Sequence, residues 1–459
     1  MTYGIEFRNK CKYASFIILM FAMSASCQAL HPQGFSGNAQ ELQKNIDHIV
    51  ILYLENRSFD NLFYEFPNAN TADKASYLPQ SDTHGRVYDV LPGVPGEPRI
   101  PAQQTNAPFL IDQYLPQNQP MPDATHKFYQ NKWQINDGKN DRFVAHTNAG
   151  GLVMGYHDMS KSHLWKYARE FTLCDNFFQA AFGGSFLNHQ WLVAATTPAY
   201  PNAPDSLKVQ NEADPSHFKD NVVTSDGYVV NNVTPTWPTT RPADSPLTLP
   251  PLSNPNIGDR LSAKGVSWKW YAGGWNAAVA DPQKAAAPPI RFQFHHQPFP
   301  FFKSCMRGTD CFNNNLKDRD DLLADIKNGS LPSVAFYKPD GTHNQHPGYA
   351  NVDEADNEIA LIVDAIMNSS MWGRIVIIIT YDENGGLWDH VAPPKGDRWG
   401  PGSRVPTVVI SPFARKGYVD HTQYDTTSIL KLIEIRYKLA PLADRDAKAA
   451  DMLQAFDFQ

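Results

Sequence analysis

Residues 48–54 (HIVILYL) and residues 374–381 (RIVIIITY) are two continuous apolar runs rich in β-branched side chains. Residues 331–337 (LPSVAFY) and 405–410 (VPTVVI) follow the same pattern. Runs that are apolar on both faces are typical of central strands in a parallel sheet, which helices cover on each side. The four runs therefore predict central strands of one parallel sheet.

Helical periodicity lies between and after these strands. Residues 353–369 place Ile359, Ile362 and Ile366 on one stripe, and residues 426–439 repeat this pattern. Alternating strands and helices are typical of βαβ units. The sequence thus predicts an α/β fold in which helices pack on both faces of the sheet.

Two long segments, residues 66–125 and 198–256, show no sustained period and are rich in Pro, Asn, Thr and Asp. Loops of this length inside a compact protein are usually functional or mobile. We expect them to form surface loops or a cap inserted into one sandwich, not independent domains.

Composition narrows the class of protein. The chain has 459 residues, of which 42% are hydrophobic and 19% charged, enough apolar material for a full core. Its formal net charge of −7 gives no basic footprint, so nucleic acid is not an expected partner.

The N-terminus resembles an export signal. Basic residues up to Lys12 precede an apolar run at residues 14–23, and small residues follow up to residue 29. This order is typical of a secretory signal peptide, and the run is short for a bilayer span. We predict a signal peptide at residues 1–29, a single domain at residues 30–459, and a periplasmic or secreted location. A retained N-terminal anchor is the alternative.

The cysteines agree with export. Cys305 and Cys311 are six residues apart and could form a small disulfide, which would leave Cys174 unpaired. Cys27 could be lipidated, but Ser24 stands where a lipoprotein signal needs a large aliphatic residue.

Acidic pairs follow two of the predicted strands. Glu55 and Asn56 come directly after the first, and Asp382 and Glu383 follow another. Ligands of open α/β sheets bind beyond the carboxyl ends of the strands, so these four side chains should meet. Adjacent carboxylates need a cation to remain ionised together, which predicts a divalent metal. Capping of helix N-termini is the alternative explanation for such residues.

Ser185 lies in the segment FGGSFLNHQ (residues 182–190). Two glycines before a serine permit a tight turn, and a following helix would aim its amides at an anion. Ser185 is therefore a candidate nucleophile, activated by a metal rather than by a triad. Taken alone, it could equally be a helix N-cap.

Several histidines occur in distinctive settings, and such side chains can donate to an anion or protonate a leaving group. They are His126, His295, His296, His346 and His390.

These motifs together resemble a known family. ENRSFDNLF, GGSFLNHQW, FHHQPF, HPG, YDENGGLWDHV and VPTVVISPF occur in this order between residues 46 and 440. The set is similar to that of the bacterial phospholipase C / acid phosphatase family of phosphoesterases, whose fold resembles alkaline phosphatase. The resemblance implies a three-layer α/β/α sandwich with long inserted loops forming a cap.

The resemblance also implies roles for individual residues. Glu55, Asn56, Asp382 and Glu383 would bind one divalent metal, which Ser185 would complete while attacking phosphorus. His126, His295 or His296, and His346 would hold phosphoryl oxygens or protonate the leaving group. Substrate contact is expected, on weaker grounds, for Asp158 and His390. Oxygen ligands leave Zn, Ca, Mg and Mn open.

The substrate is less defined than the reaction. Phospholipase C activity on phospholipid, with transient contact with a membrane surface, is the leading expectation. An acid phosphatase acting on monoesters is the alternative. Many phospholipases C carry a Thr with Pro-Asn-Arg downstream at this segment, whereas this chain has Ser185 with Leu-Asn-His at residues 187–189. A catalytically silent binding protein is a third possibility, which the intact acidic pairs and Ser185 do not support. Oligomeric state is not predicted.

Overall fold

The computed structural model describes residue 1 and residues 33–73, 75–212 and 222–459. A mixed sheet of eight strands forms the centre of this part of the chain. In chain order its strands β1 to β8 are His48–Leu54, Thr172–Cys174, Trp268–Ala272, Leu316–Lys317, Val334–Lys338, Ile375–Tyr381, Thr407–Ile410 and Tyr418–Asp420. Their order across the sheet is β8-β2-β7-β6-β1-β5-β3-β4. The predicted signal peptide, Cys27 included, lies outside the described residues apart from Met1.

Strand β1 pairs in parallel with β5 and β6, as predicted. The prediction that Thr407–Ile410 also runs parallel is wrong, because β7 is antiparallel to both β6 and β2. Apolar periodicity reports burial on both faces and carries no information on direction. The start of β7 consequently lies at the edge where β1 and β6 end.

Thirteen α-helices occur in the described residues. In chain order α1 to α13 are Gln33–Asn45, Phe59–Phe63, Phe128–Ile135, His163–Glu170, Ser185–Ala194, Ile257–Ala263, Trp275–Ala280, Pro282–Ala286, Asp310–Asn315, Arg319–Lys327, Val352–Met367, Thr426–Tyr437 and Asp444–Lys448. The helices predicted at residues 353–369 and 426–439 are thus α11 and α12, each within two residues of the expected bounds.

Helices cover both faces of the sheet. The Tyr53 hydroxyl on β1 donates to the carbonyl oxygen of Asn188 in α5, at 3.3 Å. The Tyr337 hydroxyl on β5 donates to Glu358 in α11, at 2.5 Å, and Tyr337 pairs with Leu52, the neighbour of Tyr53. Successive side chains on a strand point to opposite faces, so α5 and α11 lie on opposite sides. The three-layer α/β/α sandwich is confirmed.

The two inserted segments differ in their packing. Residues 66–125 contain two short strands that pair with each other, Val90–Leu91 and Gln104–Thr105, and a third, Phe109–Leu110, that pairs with Gly155–Tyr156. Their apolar side chains form a second buried cluster, which includes Leu387 and Trp388. Residues of the other segment, such as Val223 and Val230, pack on the main core. The first segment is therefore a small packed unit and not only a surface loop.

Cys305 and Cys311 form a disulfide, as the spacing suggested, and Cys174 is a buried free thiol on β2. Among the residues described, no helix combines the length and apolar character needed to cross a bilayer.

Candidate active site

The two acidic pairs meet at one edge of the sheet. In the parallel pairing of β1 with β6, Leu54 lies opposite Tyr381, so the residues that follow them leave the sheet side by side. The backbone N–H of Asn56 donates to Asp382 Oδ1 at 3.1 Å. Glu55, Asn56, Asp382 and Glu383 are all fully buried. The predicted grouping of these four side chains is present in the structure.

A glycine permits the two turns to touch. A Cβ atom at Gly385 would lie 2.5 Å from the carbonyl oxygen of Asn56, and Gly385 has φ of 63°. Asn56 itself has φ of 58°, a left-handed conformation that asparagine tolerates better than most residues. Because neither Glu55 nor Asn56 caps a helix (Ser58 caps α2), the capping explanation does not apply to them.

Ser185 faces the same group of carboxylates. It is the first residue of α5, and the N-cap position belongs to Gly184. The Ser185 hydroxyl instead donates to Glu55 Oε2 at 3.0 Å. The N-cap interpretation of Ser185 is therefore excluded, and its hydroxyl lies where the amides of the first turn of α5 favour negative charge.

The protonation of His346 determines how the Asn56 amide is turned. His346 Nδ1 lies 2.6 Å from the carbonyl oxygen of Pro347, so Nδ1 must carry the hydrogen. Burial lowers the pKa of His346 to about 4, so the ring is neutral and Nε2 is an acceptor. The Asn56 side-chain nitrogen then donates to His346 Nε2 at 3.1 Å. His126 Nε2 lies 3.3 Å from the same nitrogen.

This orientation leaves oxygen facing oxygen. The other terminal atom of the Asn56 amide, its oxygen, lies 2.8 Å from Glu383 Oε1 and 3.0 Å from Glu55 Oε2. Turning the amide would relieve those contacts but would require a second proton on His346. Three oxygens converging in a buried volume are instead what a cation requires. The residues present therefore fit the metal that the sequence predicted.

Two carboxyl groups at the site have raised pKa values. Burial, followed by the charge of Glu55, raises the pKa of Asp382 to about 7. Burial and the charge of Asp382 raise the pKa of Glu383 well above its usual value. Asp382 Oδ2 has no hydrogen-bond partner. An orphaned buried oxygen beside two further carboxylates adds to the case for a cation.

Two residues at the site escaped the sequence analysis. Lys338, the last residue of β5, contacts Glu55 Oε1 with its ammonium and is 1% exposed. His189, on α5, lies one turn after Ser185 and donates from Nδ1 to the Ser185 carbonyl oxygen at 2.7 Å. Possible ligand atoms of Glu55, His189 and Asp382 lie within 4.8 Å of one another. His189 could have been found from its position four residues, or one helical turn, after Ser185. Lys338 could have been found only as a lysine at the end of a predicted strand.

The predicted histidines surround this cluster. His296 Nε2 is 3.2 Å from Glu55 Oε1, and its ring stacks on that of His189 with centroids 5.1 Å apart. The His126 and His346 rings are 5.6 Å apart. His295 adjoins His296, with ring centroids 4.5 Å apart. Burial lowers the pKa of His295 to about 3 and holds those of His189 and His296 well below their usual value.

The structure does not bring the two predicted substrate contacts to this cluster. Asp158 is exposed, and it accepts a hydrogen bond from the Ser160 backbone at 3.0 Å. His390 belongs to a separate buried network, with Nδ1 2.7 Å from Asp60 Oδ2 and Arg404 donating to the same carboxyl group. Substrate contact by Asp158 or His390 has no support in this geometry.

A cavity of about 780 Å³ opens beside the cluster. His126 and Gly184 connect it to the site, and both inserted segments contribute to its walls through residues such as Asp123, Leu207 and Asn232. A cavity of this volume is within the range that binds small organic ligands.

Comparison with known proteins agrees with this chemistry. A sequence model described as "Phosphoesterase family" matches residues 46–440. The chain is 26% identical to phospholipase C A of Mycobacterium tuberculosis, over 90% of this chain and 78% of that protein. It is 25% identical to the non-hemolytic phospholipase C of Pseudomonas aeruginosa, over 90% of this chain and 58% of that protein.

Among solved structures, a sulfatase from Pseudoalteromonas superposes with a TM-score of 0.37 at 10% identity, covering 90% of this chain and 73% of its own. An alkaline phosphatase superfamily protein from Vibrio parahaemolyticus has a TM-score of 0.34 at 11% identity, covering 72% and 73%.

The protein is a hydrolase of phosphoric esters. More specifically, the chain belongs to the Phosphoesterase family.

Proposed function

We propose that this protein cleaves phosphoric esters with Ser185 as nucleophile and one divalent cation as cofactor. The observation that carries the proposal is the 3.0 Å hydrogen bond from the Ser185 hydroxyl to Glu55 Oε2, at the start of α5 and beside the acidic pair that follows β6. A serine hydroxyl is a weak nucleophile unless a base or a metal activates it. Glu55 is in place as the base, and the proposed cation would supply the second activation.

The cation would be held by oxygens of Glu55, Asn56, Ser185, Asp382 and Glu383. When bound, it supplies charge neutralisation at a phosphoryl oxygen and lowers the pKa of a coordinated hydroxyl. Oxygen donors suit Mg, Ca and Mn, and the nearby His189 also keeps Zn open.

The residues of the chain supply the remaining steps. Glu55 Oε2 accepts the Ser185 proton as Oγ bonds to phosphorus and the bond to the leaving alkoxide breaks. The first-turn amides of α5 stabilise the phosphoryl oxygens. We propose that His295 and His296 contact the same oxygens or the leaving group, which takes its proton from solvent. His126 and His346 were expected to share this role, but each ring faces the Asn56 side-chain nitrogen with Nε2 and holds its Nδ1 hydrogen on a backbone carbonyl, so in this arrangement they orient Asn56. Water then hydrolyses the phosphoserine and regenerates Ser185.

For the substrate we propose a phosphodiester, with cleavage of the phospholipase C type. Relatives named phospholipase C match 90% of this chain. Charge supports the same choice. A phosphate monoester is a dianion near neutral pH, whereas burial keeps the pKa of His295 and His346 near 3 and 4, so these rings bring no cation. The low pKa values also speak against an acid optimum that depends on these two rings.

One paired assay tests both the reaction and the substrate. Hydrolysis of phosphatidylcholine and of a phosphate monoester is compared across pH 4–8, with a chelator and with metal add-back. Faster release of diacylglycerol supports the phospholipase C proposal; faster monoester turnover with an acid optimum establishes the acid phosphatase alternative. Hydrolysis that the chelator does not affect would contradict the proposed metal dependence. Absence of hydrolysis of either substrate would favour the silent binding protein.

Two variants test the roles within the site. Ser185→Ala should abolish turnover while the four remaining ligands still retain one metal ion at saturating concentration, and normal turnover would eliminate Ser185 as the nucleophile. Asp382→Asn should lose both metal and turnover, and unchanged metal stoichiometry would exclude Asp382 as a ligand. Asp205→Asn is a matched control because that carboxyl group is exposed.

We also propose that the protein is exported to the periplasm or secreted. The signal-like pattern of residues 1–29 supports this, as does the pairing of Cys305 with Cys311. Fractionation of cells expressing the full chain, with a variant deleted for residues 14–23, tests it; cytosolic retention of the full chain would contradict it.

A further inference from the structure

Lys338 is an unusual residue for the inside of a protein. It ends β5, and 1% of its surface is exposed. Lysine is almost never fully buried unless its charge is paired, because removing an ammonium group from water is costly. Its position therefore calls for an explanation in terms of its partners.

The recorded contacts of the Lys338 ammonium lie at the end of β1. Its ammonium contacts Glu55 Oε1 and donates to the Leu54 carbonyl oxygen at 3.1 Å. The same nitrogen lies 5.1 Å from the centroid of the Tyr53 ring. Lys338 thus binds three consecutive residues that lead into the site, and it does so from the neighbouring parallel strand.

The two carboxylate oxygens of Glu55 contact different partners. Oε1 faces Lys338, whereas Oε2 receives the hydrogen bond from Ser185 at 3.0 Å. With Oε1 engaged, Glu55 presents a single oxygen to the nucleophile and to a cation. Lys338 itself is buried and is not among the residues that line the cavity beside the cluster.

The sum of the charges at the site also indicates a role for Lys338. Glu55, Asp382 and Glu383 carry three negative charges when ionised, and Lys338 returns one positive charge. The remaining two negative charges equal the charge of one divalent cation. Two-metal phosphoesterase sites hold their cations about 3.5–4 Å apart. An ammonium fixed on one of the carboxylates leaves charge for only one metal.

We propose that Lys338 is a positioning residue that fixes Glu55 as a one-oxygen ligand and restricts the site to a single divalent cation. This inference rests on the proposed metal site. A purely structural lysine would give a different outcome on removal: stability and metal affinity would fall together. Removal of a positioning cation should instead tighten metal binding, since it removes repulsion, while turnover falls because Glu55 is no longer oriented.

The test uses Lys338→Met, which keeps the side-chain length and removes the charge. Metal affinity is measured at pH 8 by competition with a chromophoric chelator, independently of activity. We expect at least tenfold tighter binding of Mg²⁺, Mn²⁺ or Zn²⁺, whichever the wild type binds, with kcat at least tenfold lower and KM within threefold. Lys338→Arg should keep the wild-type metal affinity within threefold. Equal or weaker binding by Lys338→Met would overturn the proposal.

Lys269→Met is the matched control. Lys269 lies on the adjacent strand β3 and pairs with Asp325 at 2.5 Å, away from Glu55. Its removal should change neither metal affinity nor kcat, and a change equal to that of Lys338→Met would refute a specific role for Lys338.

A second pair of variants covers the case in which Lys338→Met does not fold. Glu55→Gln alone should weaken metal binding, and adding Lys338→Met should restore part of it, because the double variant again carries two net negative charges and no unpaired ammonium. Failure of the second substitution to tighten binding would contradict the charge argument. If the wild type binds no divalent cation at all, the proposed metal site fails, and this outcome is distinct from failure of the role of Lys338.

Discussion

Removal of the metal should give this protein an unusual pH dependence of stability. The buried carboxyl group of Asp382 has its pKa raised from 3.8 to about 7. Between those two pH values the folded, metal-free protein holds a proton that the unfolded chain has released. Its free energy of unfolding must therefore fall as the pH rises through this window, which is opposite to the usual behaviour of paired carboxylates.

The size of the effect follows from the shift. Each pH unit in the window costs 1.36 kcal/mol for one proton, so a window of about three units costs about 4 kcal/mol. Glu383, whose pKa is also raised by burial and by Asp382, steepens the dependence further. Asp382→Asn should remove this destabilisation, because asparagine carries no charge. At pH 8 the metal-free variant should therefore have a higher free energy of unfolding than the metal-free wild type, although it is inactive.

Urea unfolding of chelator-treated protein at pH 5, 6, 7 and 8 provides the measurement. Saturation with the divalent cation should reverse the slope, because bound metal requires deprotonated carboxylates. Asp205→Asn, in which the substituted carboxyl group is exposed, should keep the wild-type slope. Equal stability of the metal-free wild type at pH 5 and pH 8 would refute the reasoning, as would an unchanged slope in Asp382→Asn.

Three further outcomes are expected. Arg404→Leu should lower the free energy of unfolding by about 3–5 kcal/mol in urea titrations, because it leaves buried Asp60 and Asp389 without their cation; a loss below 1 kcal/mol would contradict this. Ile378→Ala, in the fully buried centre of β6, should cost about 2–5 kcal/mol by the same method, and an undiminished midpoint would show that the core relaxes around it. Asp158→Asn should leave kcat/KM within twofold of the wild type in the ester assay, since Asp158 lies away from the cluster; a larger loss would restore it as a substrate contact.

The central strands and the acidic pairs could be predicted because their signal is local. An apolar run such as residues 48–54 has few places other than the middle of a covered sheet, and the polar residues after it must emerge at an edge. Ser185 was predicted as a candidate nucleophile for a similar reason, since two glycines before a predicted helix are visible in the sequence. The resemblance to a known family added the histidines, of which His126, His296 and His346 lie at the site.

What escaped prediction depends on contacts between distant segments. A lysine after an apolar run looks like a solvated strand end, and the burial of Lys338 follows only from the neighbouring Glu55. The direction of β7 is set by its partners and not by its own side chains. The second apolar cluster could not be foreseen either, because residues 66–125 contribute isolated apolar side chains whose partners, such as Trp388, lie far along the chain.

Strand β1 is synthesised early and acquires its partners late. Its neighbours β5 and β6 begin only at Val334 and Ile375, so HIVILYL leaves the ribosome as an unpaired apolar segment that is prone to aggregation. The second acidic pair, Asp382 and Glu383, is made later still, after both Ser185 and Lys338. We therefore expect the proposed cation to bind only after Asp382 and Glu383 have been made, so that the surroundings in which folding finishes would determine which metal ions compete for the site.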